Sequence, residues 1–426
     1  LNVYDTAVPN RVIKSAVSRL IHLFGVTALL SLSLRASVPP KVDCDFPGGN
    51  IVVDSINGDT VSLHQDLRDT EGDWFYWYFR VRGAAGRTLH FEFDRGKNVI
   101  GVRGPAVSLD RGRTWRWLGS EWARATAFSY AMPPGADEAR FAVTIPYVES
   151  NLQYFLVPYR DNPNLKVDTL CQTRKGRPVE LLRLGKLEGQ PEHRVLITAR
   201  HHACEAMASY SLEGIMAAVL AGTEDGAWFR SHVEFFVVPF MDKDGVEDGD
   251  QGKDRRPHDH NRDYEGQSIY ASVRTLREMV PRWSNGLLRF ALDMHDPWLY
   301  GPGHENILFA GDTRDQQMRK QADRFSAILE SIQSGPLLFS SKSLGWWVYE
   351  SGQGAPTETH IPSFGTWAAE LPGIWLATTI EIPYANAGGK TVTPESARAL
   401  GLDLVRALRI FLMSATAPRP EEQRLP

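Results

Sequence analysis

Three cysteines in 426 residues are too few for a disulfide framework. Cys44, Cys171 and Cys204 are also too scattered for a cysteine-based metal site, and at most one pair can form among them. A charge excess of one sign is missing as well: 47 Lys and Arg face 51 Asp and Glu, for a formal net charge of −4. So small an imbalance supplies no strong field for nucleic acid or an anionic membrane surface, and neither is expected as a partner. Long apolar runs are scarce. Leu20–Leu34 holds about fifteen residues, short of the about twenty that a membrane-spanning helix needs. No internal repeat is visible.

That one apolar run has a recognisable setting. Arg11, Lys14 and Arg19 precede it, and the small residues Ala36 and Ser37 follow. A basic start, an apolar centre and small residues after it fit a secretory signal, so residues 1–37 are expected to direct export to a periplasmic or secreted location. An uncleaved anchor or an upstream extension is the alternative, and without a signal the chain is expected in the cytoplasm. No stable membrane span is expected in the mature chain.

The remaining composition, 42% hydrophobic and 23% charged, is that of an ordinary globular protein of roughly two to three domains. Residues 45–160 read as β. Trp74 to Val81 (WFYWYFRV) is dense in aromatic and β-branched residues, Thr88 to Phe93 (TLHFEF) alternates with period two, and Gly-rich breaks separate such runs. An antiparallel β-sandwich domain is expected, with the aromatic stripe as its core rather than a ligand platform. Asp161 to Leu165 (DNPNL) reads as a linker. From 165 to 415 strands alternate with helices, so the fold class is α/β: a mixed, largely parallel sheet flanked by helices. Residues 416–426 are rich in Pro and charge and are expected to be a disordered tail.

In such sheets, sites form at the carboxyl ends of strands. Val195 to Tyr210 (VLITARHHACEAMASY) places His202 and Glu205 there, at the spacing H-x-x-E, before a run of helix formers. An imidazole and a carboxylate three residues apart suit a borderline cation such as zinc, which needs a third protein ligand and an open position. His295 ends the strand-like FALDMH and is the best third candidate; His201, His258, His260 and His304 are weaker. Between these lies a long polar stretch, Met241 to Tyr264, holding Arg255, Arg256 and Arg262.

Five pieces in this order resemble the zinc carboxypeptidase family. They are GRPVELLRLG, H-A-C-E at His202–Glu205, D-K-D-G-V followed by D-H-N-R-D-Y, D-M-H at Asp293–His295, and T-I-E-I-P-Y around Glu381. The segments DTEGDWFYWYFRVRG and YVESNLQYF are similar to the β domain that precedes the catalytic one in the cytosolic-carboxypeptidase branch. The resemblance implies one zinc ion per chain, held by His202, Glu205 and His295, with an open position for water. It implies Glu381 as general base, and Asn261 and Arg262 as the clamp on the terminal carboxylate of a peptide substrate. Asp259 would orient a ligand imidazole, assigned to His202. The carbonyl-polarising arginine is expected at Arg255, with Arg256 the alternative. The capping tyrosine of the digestive members has no match. Trp346, Trp347 and Tyr349 are open between pocket and core, and Cys204 is expected to be buried. The implied activity is zinc-dependent removal of a C-terminal residue. A deacylase acting on N-acyl amino acids and an inactive peptide-binding relative are the alternatives.

The export reading has a direct test: N-terminal sequencing of the mature protein is expected to begin near Ser37, and recovery of residues 10 to 30 would refute it.

Overall fold

Period-two alternation builds the first third of the chain. In Thr88–Phe93 the apolar residues Leu89, Phe91 and Phe93 are buried, while Thr88, His90 and Glu92 face solvent. A computed structural model describes residues 39–301, 303–311, 316–342 and 362–414. The expected signal (1–37), the aromatic cluster Trp346, Trp347 and Tyr349, and the expected tail (416–426) lie outside the described residues. No helix among those described is long and apolar enough to cross a membrane.

Nine strands come first: β1 Lys41–Asp43, β2 Val52–Asn57, β3 Thr60–His64, β4 Tyr78–Arg82, β5 Thr88–Phe93, β6 Ala106–Ser108, β7 Arg116–Trp117, β8 Ala127–Ala131 and β9 Glu138–Ala142. They form two sheets, ordered β1-β4-β9-β6-β7 and β2-β3-β5-β8. The first is antiparallel throughout. The second departs from expectation, because β3 and β5 pair in parallel. The chain leaves β3, crosses into the first sheet as β4 and returns as β5, and such a crossover brings a strand back in the same direction. Rings from the two sheets meet: Phe79 lies 5.3 Å from Phe91, and Phe141 lies 5.1 Å from Phe91. The stripe Phe75 to Phe79 is buried, and Trp77 donates its ring N–H to the Val99 carbonyl at 2.7 Å.

The chain then continues through α1 (Glu149–Leu156), β10 (Leu165–Gln172), β11 (Pro178–Gly185), β12 (His193–Ala199), α2 (Met207–Leu220), α3 (Glu224–His232), β13 (Val233–Val238), α4 (Lys243–Asp248), α5 (Ala271–Ser284), β14 (Leu288–His295), β15 (Leu308–Ala310), α6 (Gln316–Ile332), α7 (Phe364–Ala369), β16 (Leu376–Glu381) and α8 (Pro394–Met413). Seven strands pair in the order β10-β11-β13-β12-β14-β16-β15. Parallel pairing is confined to the four in the middle, β13, β12, β14 and β16; the pairs at both edges are antiparallel. The sheet is therefore mixed, with a parallel centre. Val233–Val238 is buried at every position, as a strand covered on both faces must be. α2 is buried almost all round. It meets α8 closely because Gly214 and Gly401 carry no Cβ: one added at Gly214 would lie 2.1 Å from the Arg398 carbonyl oxygen.

The polar stretch after β13 is not a free loop. Asp242 caps α4, accepting from the Gly245 amide at 3.0 Å. Beyond α4 the chain is tied to the N-terminal part. Gln251 exchanges two hydrogen bonds with the Tyr76 backbone, 2.8 and 2.9 Å, and Asp69 accepts from the amides of Gln251 and Gly252 at 3.0 and 2.8 Å. Asn50 donates to the Gly249 carbonyl at 2.7 Å. Gln251→Ala strips both partners from the buried Tyr76 backbone, each a loss of about 1–3 kcal/mol. Urea melts should show the lower stability; an unchanged midpoint would mean that this contact does not hold the loop.

Candidate metal centre

The register of β14 and β16 sets His295 beside Glu381 as partners on neighbouring parallel strands, both at carboxyl ends. β12, the next strand over, ends at Ala199 and turns through Arg200, whose φ is +61°. That turn is held from inside: the buried Arg200 guanidinium donates to the Tyr147 carbonyl at 2.8 Å, to Ser209 Oγ at 3.2 Å and to the Ala203 carbonyl. His202 and Glu205 follow. α2 then starts against Asp296, whose carboxylate accepts the Met207 and Ala208 amides at 2.8 Å each. One strand end thus supplies both His295 and the cap of the helix behind Glu205.

Three donors converge. His202 Nδ1 lies 2.9 Å from Glu205 Oε1 and 3.1 Å from His295 Nδ1, and His295 Nδ1 lies 2.7 Å from Glu205 Oε2. All three side chains are buried. Burial works against the charged form of Glu205, but His202, Lys253 and His295 outweigh it and hold the carboxyl well below its usual range. Donors about 2.0–2.2 Å from a tetrahedral zinc sit about 3.3 Å apart, so this set fits the ion with a small outward adjustment. Two ring nitrogens 3.1 Å apart, each also against an oxygen of one carboxylate, form a cluster that a cation between them would hold together. Glu381 completes the rim. Its Oε2 is buried and, among the described residues, has no hydrogen-bond partner. Burial pushes its carboxyl above the usual range and Glu205 adds to this, against His295, Lys253 and His202.

A second group, His201, Asp293 and His295, also has ligand atoms close together. Its polar atoms are already matched. Asp293 accepts from His201 Nδ1 at 2.8 Å, from His295 Nε2 at 2.6 Å and from Thr198 Oγ1 at 2.8 Å, and His201 Nε2 meets the Tyr264 hydroxyl at 2.7 Å. Burial opposes its charge, but His201 and His295 keep the Asp293 carboxyl well below the usual range. The group is better described as the support of His295, fixing which ring nitrogen faces the donors.

The other expected residues fall as follows. Asp259 Oδ1 stands 3.7 Å from His202 Nε2, an ion-pair contact too long for a hydrogen bond, and accepts the Asn261 amide at 2.9 Å. Asn261 is buried, with Nδ2 3.4 Å from His295 Nε2 and Oδ1 accepting the Phe364 amide at 3.0 Å. Arg262 is exposed, donates to the Asn261 carbonyl at 3.0 Å, and lines a cleft of about 750 Å³ with Asp259, His258 and Arg256. Arg255 is not brought to the donors. Its guanidinium nitrogens contact Asp69 at 3.0 Å, Asp242 at 2.5 Å and Asp250 at 2.9 Å, so the expected carbonyl-polarising group is engaged with three carboxylates elsewhere. Arg256 is 80% exposed and pairs with Glu71. Cys204 is buried, its thiol pushed up to about 12 by burial, and Sγ lies 3.9 Å from the Tyr384 hydroxyl.

Sequence reasoning missed two neighbours of the donors. Asp293 precedes His295 by two residues on one strand, and period two puts both on the same face, so that signal was available. Lys253 had no such signal. Its Nζ lies 2.5 Å from Glu205 Oε1 and 5.3 Å from the Trp74 ring centre. Burial works against the ammonium, but Glu205 and Glu381 outweigh it and hold Lys253 above the usual lysine range.

Comparison with known proteins agrees with this arrangement. Residues 157–278 match the zinc carboxypeptidase family model. Cytosolic carboxypeptidase 6 of Caenorhabditis elegans is 24% identical over 272 residues, covering 57% of this chain and 58% of that protein. Cytosolic carboxypeptidase 3 of Bos taurus is 28% identical over 165 residues, 36% of this chain and 16% of that one. The chain thus spans little more than half of one of these relatives and under a fifth of the other. A crystal structure of a metallo-carboxypeptidase from Burkholderia cenocepacia has the same fold, with a TM-score of 0.71 at 21% identity, covering 88% of this chain and all of that one. Zinc is the metal of that family, and the donors His202, Glu205 and His295 suit it. Residues 157–278, which hold His202, Glu205 and Arg262, thus match the zinc carboxypeptidase family, and the mixed sheet with its strand-end donors has the fold of that metallo-carboxypeptidase structure.

Proposed function

We propose that the protein is a zinc-dependent metallocarboxypeptidase that hydrolyses the last peptide bond of a substrate with a free C-terminus. The observation that carries this reading is the unpartnered Glu381 Oε2 beside the three convergent donors. Residues 165–415 are the catalytic domain in this reading. Residues 45–160 are a β-sandwich domain that walls one side of the site through Asp69, Trp74 and Tyr76.

Zinc held by His202, Glu205 and His295 supplies the Lewis acidity that makes water a nucleophile at neutral pH. The chain's own groups do the rest. Asp293 keeps the proton of His295 on Nε2, leaving Nδ1 for the metal, and Asp259 biases His202 in the same sense. Glu381 takes a proton from the attacking water and delivers it to the departing amine nitrogen. Arg262 grips the terminal carboxylate with two parallel hydrogen bonds, and Asn261 adds a third donor. The clamp explains why the bond one residue from the end is the one cut.

On location, residues 1–37 and the relatives' names point in different directions, toward export and toward the cytosol. Sequencing of the mature N-terminus decides between them.

Release of free amino acid from matched peptides with free and amidated ends, with and without chelator, tests the class of reaction. The free end alone should be cut, and zinc should restore what the chelator removes. Cleavage of N-acyl amino acids but not peptides would indicate a deacylase, and binding without turnover an inactive relative. Arg262→Ala should lower kcat/KM on free-ended peptides by about 1.5–3 kcal/mol, roughly 10- to 150-fold, and narrow the preference over amidated ends. Glu381→Gln should lower kcat by roughly 10²–10⁴-fold while metal analysis finds zinc unchanged; substantial turnover in that zinc-replete variant would contradict the base assignment.

A further inference from the structure

With Arg255 occupied elsewhere, the reaction lacks its expected cation for the carbonyl oxygen. Arg256 is turned to solvent against Glu71, and Arg262 sits in the cleft beyond Asn261. Among the described residues near the donors, Lys253 carries an ammonium against the cluster itself, 2.5 Å from Glu205 Oε1.

Its position is built, not incidental. Gly252 before it has φ +76°, and a Cβ there would lie 2.2 Å from the Ala203 amide nitrogen, so the backbone of this loop lies directly on the turn between His202 and Glu205. Asp69 accepts from the Gly252 amide at 2.8 Å, the Thr70 hydroxyl donates to the Lys253 carbonyl at 2.5 Å, and the Trp74 ring flanks the ammonium at 5.3 Å. Lys253 is nevertheless 18% exposed, so the side chain lies at the open edge of the donors rather than sealed beneath them. An ammonium has three N–H donors. One carboxylate oxygen and one ring face leave capacity for a further acceptor.

We propose that Lys253 is the group that polarises the scissile carbonyl, taking the place expected of Arg255. This rests on the metallocarboxypeptidase reading above. As the water oxygen bonds to the carbonyl carbon, the π pair of the C=O bond moves onto its oxygen, and Lys253 donates a hydrogen bond to that oxygen as negative charge grows. The carbonyl then re-forms, the C–N bond breaks with its electron pair going to nitrogen, and the proton held by Glu381 passes to that nitrogen. A carboxylic acid, ionised at neutral pH, and an amine leave. Lys253 gives up no proton over the cycle. A point charge on a flexible stem does this as well as a planar fork, because one oxygen is the target.

The test uses the full-length, zinc-loaded protein and the variants Lys253→Met and Lys253→Arg, with zinc content and thermal melting measured for each. Losing one such donor costs about 10²–10³-fold in kcat, so Lys253→Met should fall by that factor with KM within about threefold of the parent. A phosphinic peptide, which mimics the tetrahedral oxyanion, should bind it at least about thirtyfold more weakly, while the free amino-acid product binds as before. Lys253→Arg should recover a substantial part of both losses. Should Lys253→Met fail to fold, Lys253→Gln carries the same expectation. Turnover of Lys253→Met within about threefold of an active parent overturns this assignment alone. Loss of zinc accounting for the whole fall in activity also overturns it, since Lys253 would then act by holding Glu205. A parent that holds zinc but cuts no peptide overturns the underlying reading and this assignment with it.

Discussion

Two ring nitrogens and a carboxylate held about 3 Å apart in a buried place are costly to bring together, and the surrounding structure is arranged to make that tolerable. Sheet register does the first part. Neighbouring parallel strands lie about 4.8 Å apart, so His295 and Glu381, opposite one another on β14 and β16, are adjacent without any loop having to find its way. The turn after β12 brings His202 and Glu205 to the same edge, and Arg200, buried beneath it, ties the turn at Ala203 to Ser209 of α2 and to the Tyr147 carbonyl.

Hydrogen bonding does the second part. Asp293 gathers His201, His295 and Thr198 around one carboxylate, and Tyr264 closes the far side of His201. Each buried polar atom in this network has a partner, which is the condition for such a network to stiffen a core rather than weaken it. Against that background the bare oxygen of Glu381 stands out. A buried carboxylate oxygen left without a partner beside such a network points to a role played only when something else is bound.

The parallel centre of the sheet and the strand-end placement of His202, Glu205, His295 and Glu381 were legible because period, chain order and short motifs all act locally. The apolar run that opens Val195 to Tyr210 and the strand-like FALDMH lie in the strands His193–Ala199 and Leu288–His295. Other features were hidden because they depend on partners distant in sequence. Nothing in the residues around Arg255 reveals that Asp69, some 186 positions earlier, will engage it. The parallel pairing of β3 with β5 was invisible for the same reason: it follows from β4 joining a different sheet. α3 and α4 are short and polar, and only their caps at Thr223 and Asp242 mark them.

The ties between Asn50, Asp69, Tyr76 and the loop 249–253 have a consequence for how this molecule can be divided. The family match runs from 157 to 278 and so includes the loop but none of the residues that clasp it. A fragment cut to begin at 157 and run on past Glu381 would keep every donor and the clamp, yet the amides of Gln251 and Gly252 would lose their acceptor. The border of the family match and the border of a working unit are therefore different lines. Any transplant of this chemistry onto another scaffold has to carry the leading sheets along as its splint.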